Sequence, residues 1–418
     1  MPSMTWYHDT ANISKRHRLN DDLHCDVCVI GGGLTGISTA LNCAERGMDV
    51  VLLESETIGF GASGRSGGQV VQGFAADISV IEQYVGKESG YTFFQMAREA
   101  VDDLKERTAR HAPEADLRMG YLHLTLNNRQ FKAMQSLCAA WHGWGYTGPK
   151  MITRSEVRDW LGSDRYFGGM IDPESGQIHP LRYLLGLAKG AEEAGAILFE
   201  DSAVRKVDGT IVQTDSGLVN AKYIVYCCNA YLGKLERKLY SKIMPVASFI
   251  SVTEQLSASL AATIFPRDVA VADCNLALDY FRLTHDRRLL FGSGASYSTI
   301  VPPGLIGTMK RKIVRIFPEM ANIRIDYQWG GLIGITINRI PDIGRLSNNT
   351  FYAQGFSGHG IVLTGFAGKI IAEAITANDK RLKLFEKIHH QTFPGGWLRT
   401  PALIAGMSWV KLREWLNI

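Results

Sequence analysis

The chain has 418 residues, 46% hydrophobic and 21% charged, enough apolar material to bury a sizeable core in two domains or in one with a large insertion. Its 45 Lys and Arg against 41 Asp and Glu leave a formal net charge of +4, too small at this length for a nucleic-acid footprint. Disorder is excluded, and a small or locally charged partner is expected.

Residues 1–20 lack the apolar core of a signal peptide, and no run reaches the roughly 18 apolar residues of a transmembrane span, so a soluble cytoplasmic protein is the expectation. The basic cluster Lys15–Arg18 reads as a solvated arm. Seven cysteines at 25, 28, 43, 138, 227, 228 and 274 are an odd count without a framework, which favours a reducing compartment. Cys25 and Cys28 spell C-x-x-C but lie in the apolar run CDVCVI, where they read as small strand residues; Cys227 and Cys228 in YIVYCCNA read likewise.

The first strong signal is CDVCVIGGGLTGISTALNCAERGMDVVLLES. A strand ending at Ile30 enters a glycine turn, an amphipathic helix runs to about Glu45, Gly47 stops it, and a second strand spans Val50 to Leu53. In this βαβ unit Gly31 makes the tight turn, Gly33 lets backbone amides approach a pyrophosphate, and Gly36 lets the helix pack close. Leu34 and Thr35 open the helix, whose N-terminus carries partial positive charge for phosphates. Glu54, followed by Ser55, stands where a carboxylate binds ribose hydroxyls. The pattern predicts dinucleotide binding, by NAD or FAD.

The chain then enters GFGASGRSGGQ, residues 59–69, instead of the further βα units of an NAD-dependent dehydrogenase. Here the sequence resembles the D-amino-acid-oxidase (DAO) superfamily of FAD-dependent oxidoreductases. Three later stretches carry the same resemblance: residues 169–209 with the His179-Pro180 corner, VNAKYIVYCCNAYLG, and FYAQGFSGHGIVLTGFAGKIIAEAI at 351–375. In the second, Cys227-Cys228-Asn229-Ala230 departs from the usual small-residue ending. The joint presence of GASGRSGGQ and QGFSGHG is similar to members that oxidise gamma-glutamylated amines.

The resemblance implies FAD and assigns its contacts. Ala62, Ser63 and Gly64 pass the ribose and pyrophosphate. Arg65, Ser66, Gly67, Gly68 and Gln69 approach the isoalloxazine, where a Cβ at Gly67 or Gly68 would crowd the ring. A strand through Val204 lies along the adenine end, and Asn229 ends the strand beneath the cofactor. Gly355, Gly358 and Gly360 free the backbone before a helix from about Ile361, aimed at the flavin pyrimidine edge, where its dipole favours reduction. Arg65 either steadies flavin charge or pairs with a nearby carboxylate. Non-covalent FAD is expected, since WGGLIGIT holds no cysteine or histidine for one known linkage.

The resemblance also implies oxidation of a carbon next to nitrogen, giving an imine that water converts to an aldehyde and ammonia or a smaller amine. Where amino-acid oxidases carry a carboxylate-holding arginine, WGGLIGIT has Ile333, so a plain α-amino acid is disfavoured. Tyr280 and Arg282 share a strand face and are candidates for a remote substrate contact; the alternative is a buried-edge tyrosine and a solvent arginine. Trp329 is either a pocket wall or core, and Asn338 is expected to hold its loop. His359 is the candidate catalytic residue, for proton transfer; the alternatives are that it only fixes its loop or balances charge. Leu290 stands where some members place an oxygen-activating lysine, so oxygen and another electron acceptor both stay open. Other readings are an NAD-dependent enzyme, a D-amino-acid or sarcosine-type enzyme, and a non-catalytic flavin-bearing subunit. No metal-ligand cluster is evident, and an oligomer is compatible with the sequence.

The expected architecture is α/β (α+β): a discontinuous Rossmann-type FAD-binding domain from 22–88, 169–236 and 326–388, and a substrate-binding domain from 89–168 and 237–325 with a mostly antiparallel sheet. Helices are expected around 90–112 and a strand at 120–126. The tail, 389–418, mixes apolar and basic residues and is expected to pack on its own domain, a membrane-surface or subunit contact being the alternative.

Overall fold

The computed structural model describes residues 5–275, 278–296 and 303–394. Most of the tail, from 395 onward, lies outside the described residues. The fold is mixed α/β, built on two sheets.

The first sheet has a parallel core ordered Thr350–Gln354, Leu218–Tyr226, Leu23–Ile30, Val50–Leu53 and Ile197–Phe199. Asp342–Ser347 adds an antiparallel edge, and the hairpin Lys206–Asp208 with Ile211–Gln213 pairs on Leu218–Asn220. Strands covered on both faces must be apolar on both, and these are. Val27 and Val29 pack under four helices, Leu34–Ala44, Lys87–His111, Pro180–Glu193 and Gly360–Ile375, while Cys28 and Ile30 pack with Leu239 and Tyr352 on the other side. Burial pushes the Cys25 and Cys43 thiols up to about 12, so these cysteines sit as neutral core groups.

The second sheet runs Ile325–Ile335, Met244–Gln255, Arg288–Ser296, Tyr280–Leu283, Ala270–Asp273, Arg118–Thr125, Gly168–Gln177 and Gln69–Val70. It is antiparallel except where Ala270–Asp273 lies beside Arg118–Thr125. Gly168–Gln177 and Ile325–Ile335 pair in this sheet, although the sequence places both within segments of the cofactor unit. Each is the last strand before the chain crosses back to the first sheet.

The helix Pro180–Glu193 begins where expected, because Pro180 presets the first turn and His179 Nδ1 accepts the Arg182 N–H at 3.1 Å. Two details differ from the sequence reading. The strand expected through Val204 ends at Phe199: the chain turns at Asp201, with φ +49, and the buried Glu200 carboxylate accepts the Ile58 and Arg16 N–H groups, leaving Val204 in a loop. The strand ending in YIVYCC stops at Tyr226, so Cys227 and Cys228 lie just beyond it. Among the described residues no single helix is long and apolar enough to cross a membrane; Gly360–Ile375 is apolar because it is core.

Candidate active site

The glycine turn after Leu23–Ile30 opens a cavity of about 330 Å³. Gly31 has φ +111, and a Cβ there would stand 2.9 Å from the Cys227 carbonyl oxygen. A Cβ at Gly36 would lie 1.9 Å from the Gly31 carbonyl oxygen, so its first task is to let the helix start on the turn itself. The Leu34 N–H is held by Ser63 Oγ at 2.9 Å, and no side chain of Gly33 caps the helix, whose N-terminal turn borders the cavity. Glu54 accepts the Gly32 N–H at 2.6 Å and the Glu56 N–H at 2.9 Å; burial raises its carboxyl above the usual range. Ser55 donates to Glu54, and Ala62, Val204 and Asn229 line the same space. Asn229, at φ +46, also ties the two later glycine segments together by accepting the Gly355 N–H at 3.0 Å.

Through Ala62 this space adjoins a second cavity of about 540 Å³, walled by Arg65–Gln69. Four carbonyls of that loop, those of Arg65 to Gly68, are engaged by the protein. Trp329 Nε1 donates to Arg65 at 2.9 Å, the Tyr7 hydroxyl to Ser66 at 2.8 Å, Arg282 Nε to Gly67 at 2.9 Å and the Ile178 amide to Gly68 at 2.8 Å. The amides of Ser66, Gly67 and Gly68 take no protein acceptor among the described residues. Buried donors of this kind need a partner, and the cavity is where one can stand.

The glycines have a further reason than the one expected. A Cβ at Gly67 would meet the Tyr280 ring at 2.2 Å, and Gly68, at φ +70, would meet the Ile178 carbonyl oxygen at 2.1 Å. Protein packing alone requires glycine at both positions. Arg65 donates Nε–H to the Phe60 carbonyl at 2.7 Å, with its guanidinium 5.3 Å from the Phe60 ring centroid. No carboxylate pairs with it among the described residues, which removes the ion-pair alternative and leaves a buried cation beside the cavity.

Of the four substrate candidates, Tyr280 and Ile333 line the cavity and Arg282 and Trp329 do not. Arg282 shares the face of Tyr280, as alternation predicts, but is fully buried: beyond Gly67 it bonds Ile178 O, Gln177 Oε1 and the Tyr7 hydroxyl. Its donors are consumed in holding the loop. Trp329 is likewise a prop, packed edge-on against Tyr7. Tyr280 bonds Ser248, and burial pushes its phenol up to about 12. Leu290 is wholly buried with Trp6 and Trp329, away from the cavity lining. Asn338 Oδ1 accepts the Ile340 N–H at 3.2 Å and so holds its loop.

The segment before Gly360–Ile375 forms the opposite wall. Gly355 and Gly358 have φ of +74 and +88, the left-handed region that favours glycine, and Ile361 and His359 line the cavity. His359 Nε2 is buried without a partner, and so is Nε2 of His123. Burial lowers both imidazoles, His123 to about 4. Sequence reasoning missed His123, although its signal was present: Leu122 and Leu124 are core, so Tyr121 and His123 occupy the other face of the strand. It also missed a polar group farther along the wall. There Ser293 donates to Asp279, Lys312 Nζ bonds both at 2.6 and 2.7 Å, and the buried Asp273 stands beside them on the cavity lining.

Comparison with known proteins accords with this geometry. The family model described as FAD dependent oxidoreductase (DAO) matches residues 26–374. Gamma-glutamylputrescine oxidoreductase of Escherichia coli (strain K12) is 39% identical over 405 residues, covering 96% of this chain and 95% of its own. Among solved structures, L-proline dehydrogenase from P. horikoshii superposes with a TM-score of 0.73 at 22% identity over 87% of this chain and 96% of its own. Glycine oxidase from Geobacillus kaustophilus gives a TM-score of 0.72 at 19% identity over 86% and 96%.

Proposed function

Since this chain belongs to the DAO family of FAD dependent oxidoreductases, with FAD as its cofactor, we propose that it oxidises the carbon next to nitrogen in a gamma-glutamylputrescine-like amine. The product is an imine, which water hydrolyses to an aldehyde and ammonia or a smaller amine. Bound FAD supplies the two-electron acceptor for the hydride. The two adjoining glycine-walled cavities and the unpartnered amides of Ser66–Gly68 suit that group.

In this reading Gly31, Gly33, Glu54, Ser55, Ala62 and Ser63, which line the smaller cavity, would hold the adenosine and phosphate part, with Val204 and Asn229 at its flank and Leu34–Gly36 and Gly64 shaping the turns behind it. Arg65–Gln69 and Gly355–Ile361 enclose the ring without a covalent bond, and Arg65 offers charge to it. Tyr280, His359 and Ile333 shape the substrate space, and Arg282 and Trp329 serve it only through the loop they hold.

The observation that carries the reading is Ile333. It presents an apolar side chain on the cavity wall, and an apolar group cannot clamp a carboxylate at the reacting carbon. A substrate with an acidic end must place that end farther off, away from the Asp273 and Asp279 carboxylates, whose lysine neighbour, Lys312, is already paired with Asp279. Seven unpaired cysteines suit a cytoplasmic setting. The test is anaerobic: a yellow protein should turn pale with gamma-glutamylputrescine, and hydrogen peroxide on readmitting air would make oxygen the acceptor. Colour that persists across a panel of amines would end the catalytic reading.

A further inference from the structure

Two side chains on the larger cavity share an unusual property. His123, from the strand Arg118–Thr125, and His359, from the loop before Gly360–Ile375, each line the cavity with a buried Nε2 that has no hydrogen-bond partner among the described residues. They come from different sheets' territory, so neither was placed there by the other's local sequence. A buried ring nitrogen without a partner is costly to keep unless a ligand completes it.

The chemistry of the missing partner can be narrowed. The ring of His359 interacts with the backbone of Gln72 in a way that favours its protonated form, and since Nε2 has no partner the contact falls to Nδ1. A carbonyl accepts only, so Nδ1 carries the proton and Nε2 of the neutral ring carries the lone pair. Both rings stay neutral near pH 7, through burial first; Asp172 opposes this at His123 and His359 adds to it. At His359 the cavity therefore offers an acceptor nitrogen with no charge of its own, and a neutral His123 with its proton on Nδ1 offers a second. A carboxylate or carbonyl brings only further acceptors, whereas an amine brings two or three N–H donors.

We infer that His123 and His359 form a two-imidazole subsite that holds the nitrogen of the amine undergoing oxidation, His359 Nε2 accepting one N–H and His123 Nε2 another. The inference rests on the amine reading above and deepens it, by assigning His123 a direct substrate contact. Two contacts on one nitrogen fix its direction, and with it the direction of the neighbouring C–H bond. Ile333 borders the same space and contributes no competing polar contact.

The test uses the FAD-loaded protein and gamma-glutamylputrescine, mixed anaerobically, so that the concentration dependence of flavin bleaching separates the substrate Kd from the limiting rate. His123→Phe should raise Kd about tenfold or more, the size of one hydrogen bond to a nitrogen ligand. His123→Gln, whose amide can place an oxygen near the Nε2 position, should recover most of that loss. His123→Asn, shorter but similarly polar, should not recover it, and it serves in place of His123→Phe if the latter fails to fold. FAD absorbance and melting temperature establish that each variant is loaded and folded. Kd within twofold of the original in the Phe and Asn variants, or a Gln variant as impaired as Asn, would overturn the subsite. If the unaltered protein is not bleached by any amine, it is the amine reading that falls instead.

Discussion

The indole N–H of Trp329 meets the carbonyl of Arg65 at 2.9 Å, across 264 residues of chain. The contact fixes one end of the Arg65–Gln69 loop from beneath the cavity. Trp329→Phe keeps the ring and loses the hydrogen bond, leaving a buried carbonyl without its donor. A loss of about 1 kcal/mol or somewhat more in unfolding free energy is expected, with faster FAD release. Denaturant titration and flavin fluorescence would measure both, and no change in either would remove Trp329 from the support of the loop.

Arg282 should behave as a structural residue, not as a substrate ligand. Its guanidinium serves Gly67, Ile178, Gln177 and Tyr7 while fully buried, so Arg282→Met strands several acceptors at once. The expected cost is about 3 kcal/mol or more, together with poor FAD retention. A stable, FAD-loaded variant whose only defect is a raised KM would contradict this placement.

At Ile333 the side chain borders the cavity and lies near Gly358, whose Cβ, if present, would be 3.6 Å from Ile333 Cδ1. Ile333→Arg should leave folding largely intact and bring a buried cation to the reacting end. Amine oxidation is expected to fall at least about tenfold, the cost of setting a cation beside a cationic or donor-rich substrate. Unchanged turnover would show that this wall is not where the reacting carbon sits.

Acid should destabilise the protein through its buried histidines. Burial, with Arg182 and Arg282 nearby, depresses His179 to about 2, and burial takes His123 to about 4, both below the ordinary value of 6.5. A depressed imidazole contributes its full stability above the unfolded value and loses it as pH falls toward the folded one. The window therefore opens below about pH 6.5, at up to about 1.4 kcal/mol per pH unit for each group. His179→Asn, which can still cap Pro180–Glu193, should flatten the slope between neutral pH and pH 5 in urea titrations. An unaltered slope would show that His179 is not the source.

Much of the cavity's wall was legible because a glycine turn is local. Gly31, Gly36 and Glu54 stand within one βαβ unit, and backbone conformation alone gives them their places. Tyr280 and Ile333 reach the cavity through strand alternation, which a sequence displays. Arg282 has the same alternation and a different fate. What decides it is the Gly67 carbonyl, 215 residues away, and no spacing rule carries that distance. The strand expected through Val204 ends early for a similar reason, since Glu200 stops it by bonding Ile58 and Arg16, although Val204 itself still lines the smaller cavity. His123 was hidden by its neighbours: Leu122 and Leu124 announce a core strand, and the polar face between them points into a cavity that only the assembled sheets enclose.

The props beneath Arg65–Gln69 come from Tyr7, Ile178, Arg282 and Trp329, which span most of the chain. A nascent chain that has just produced the glycine loop has only Tyr7 to steady it. The loop's last support is not synthesised until residue 329, long after the βαβ turn is complete. If that loop holds the flavin ring, as proposed, its loading is a late event in the life of each molecule, and a chain truncated before that strand should capture the nucleotide half at best.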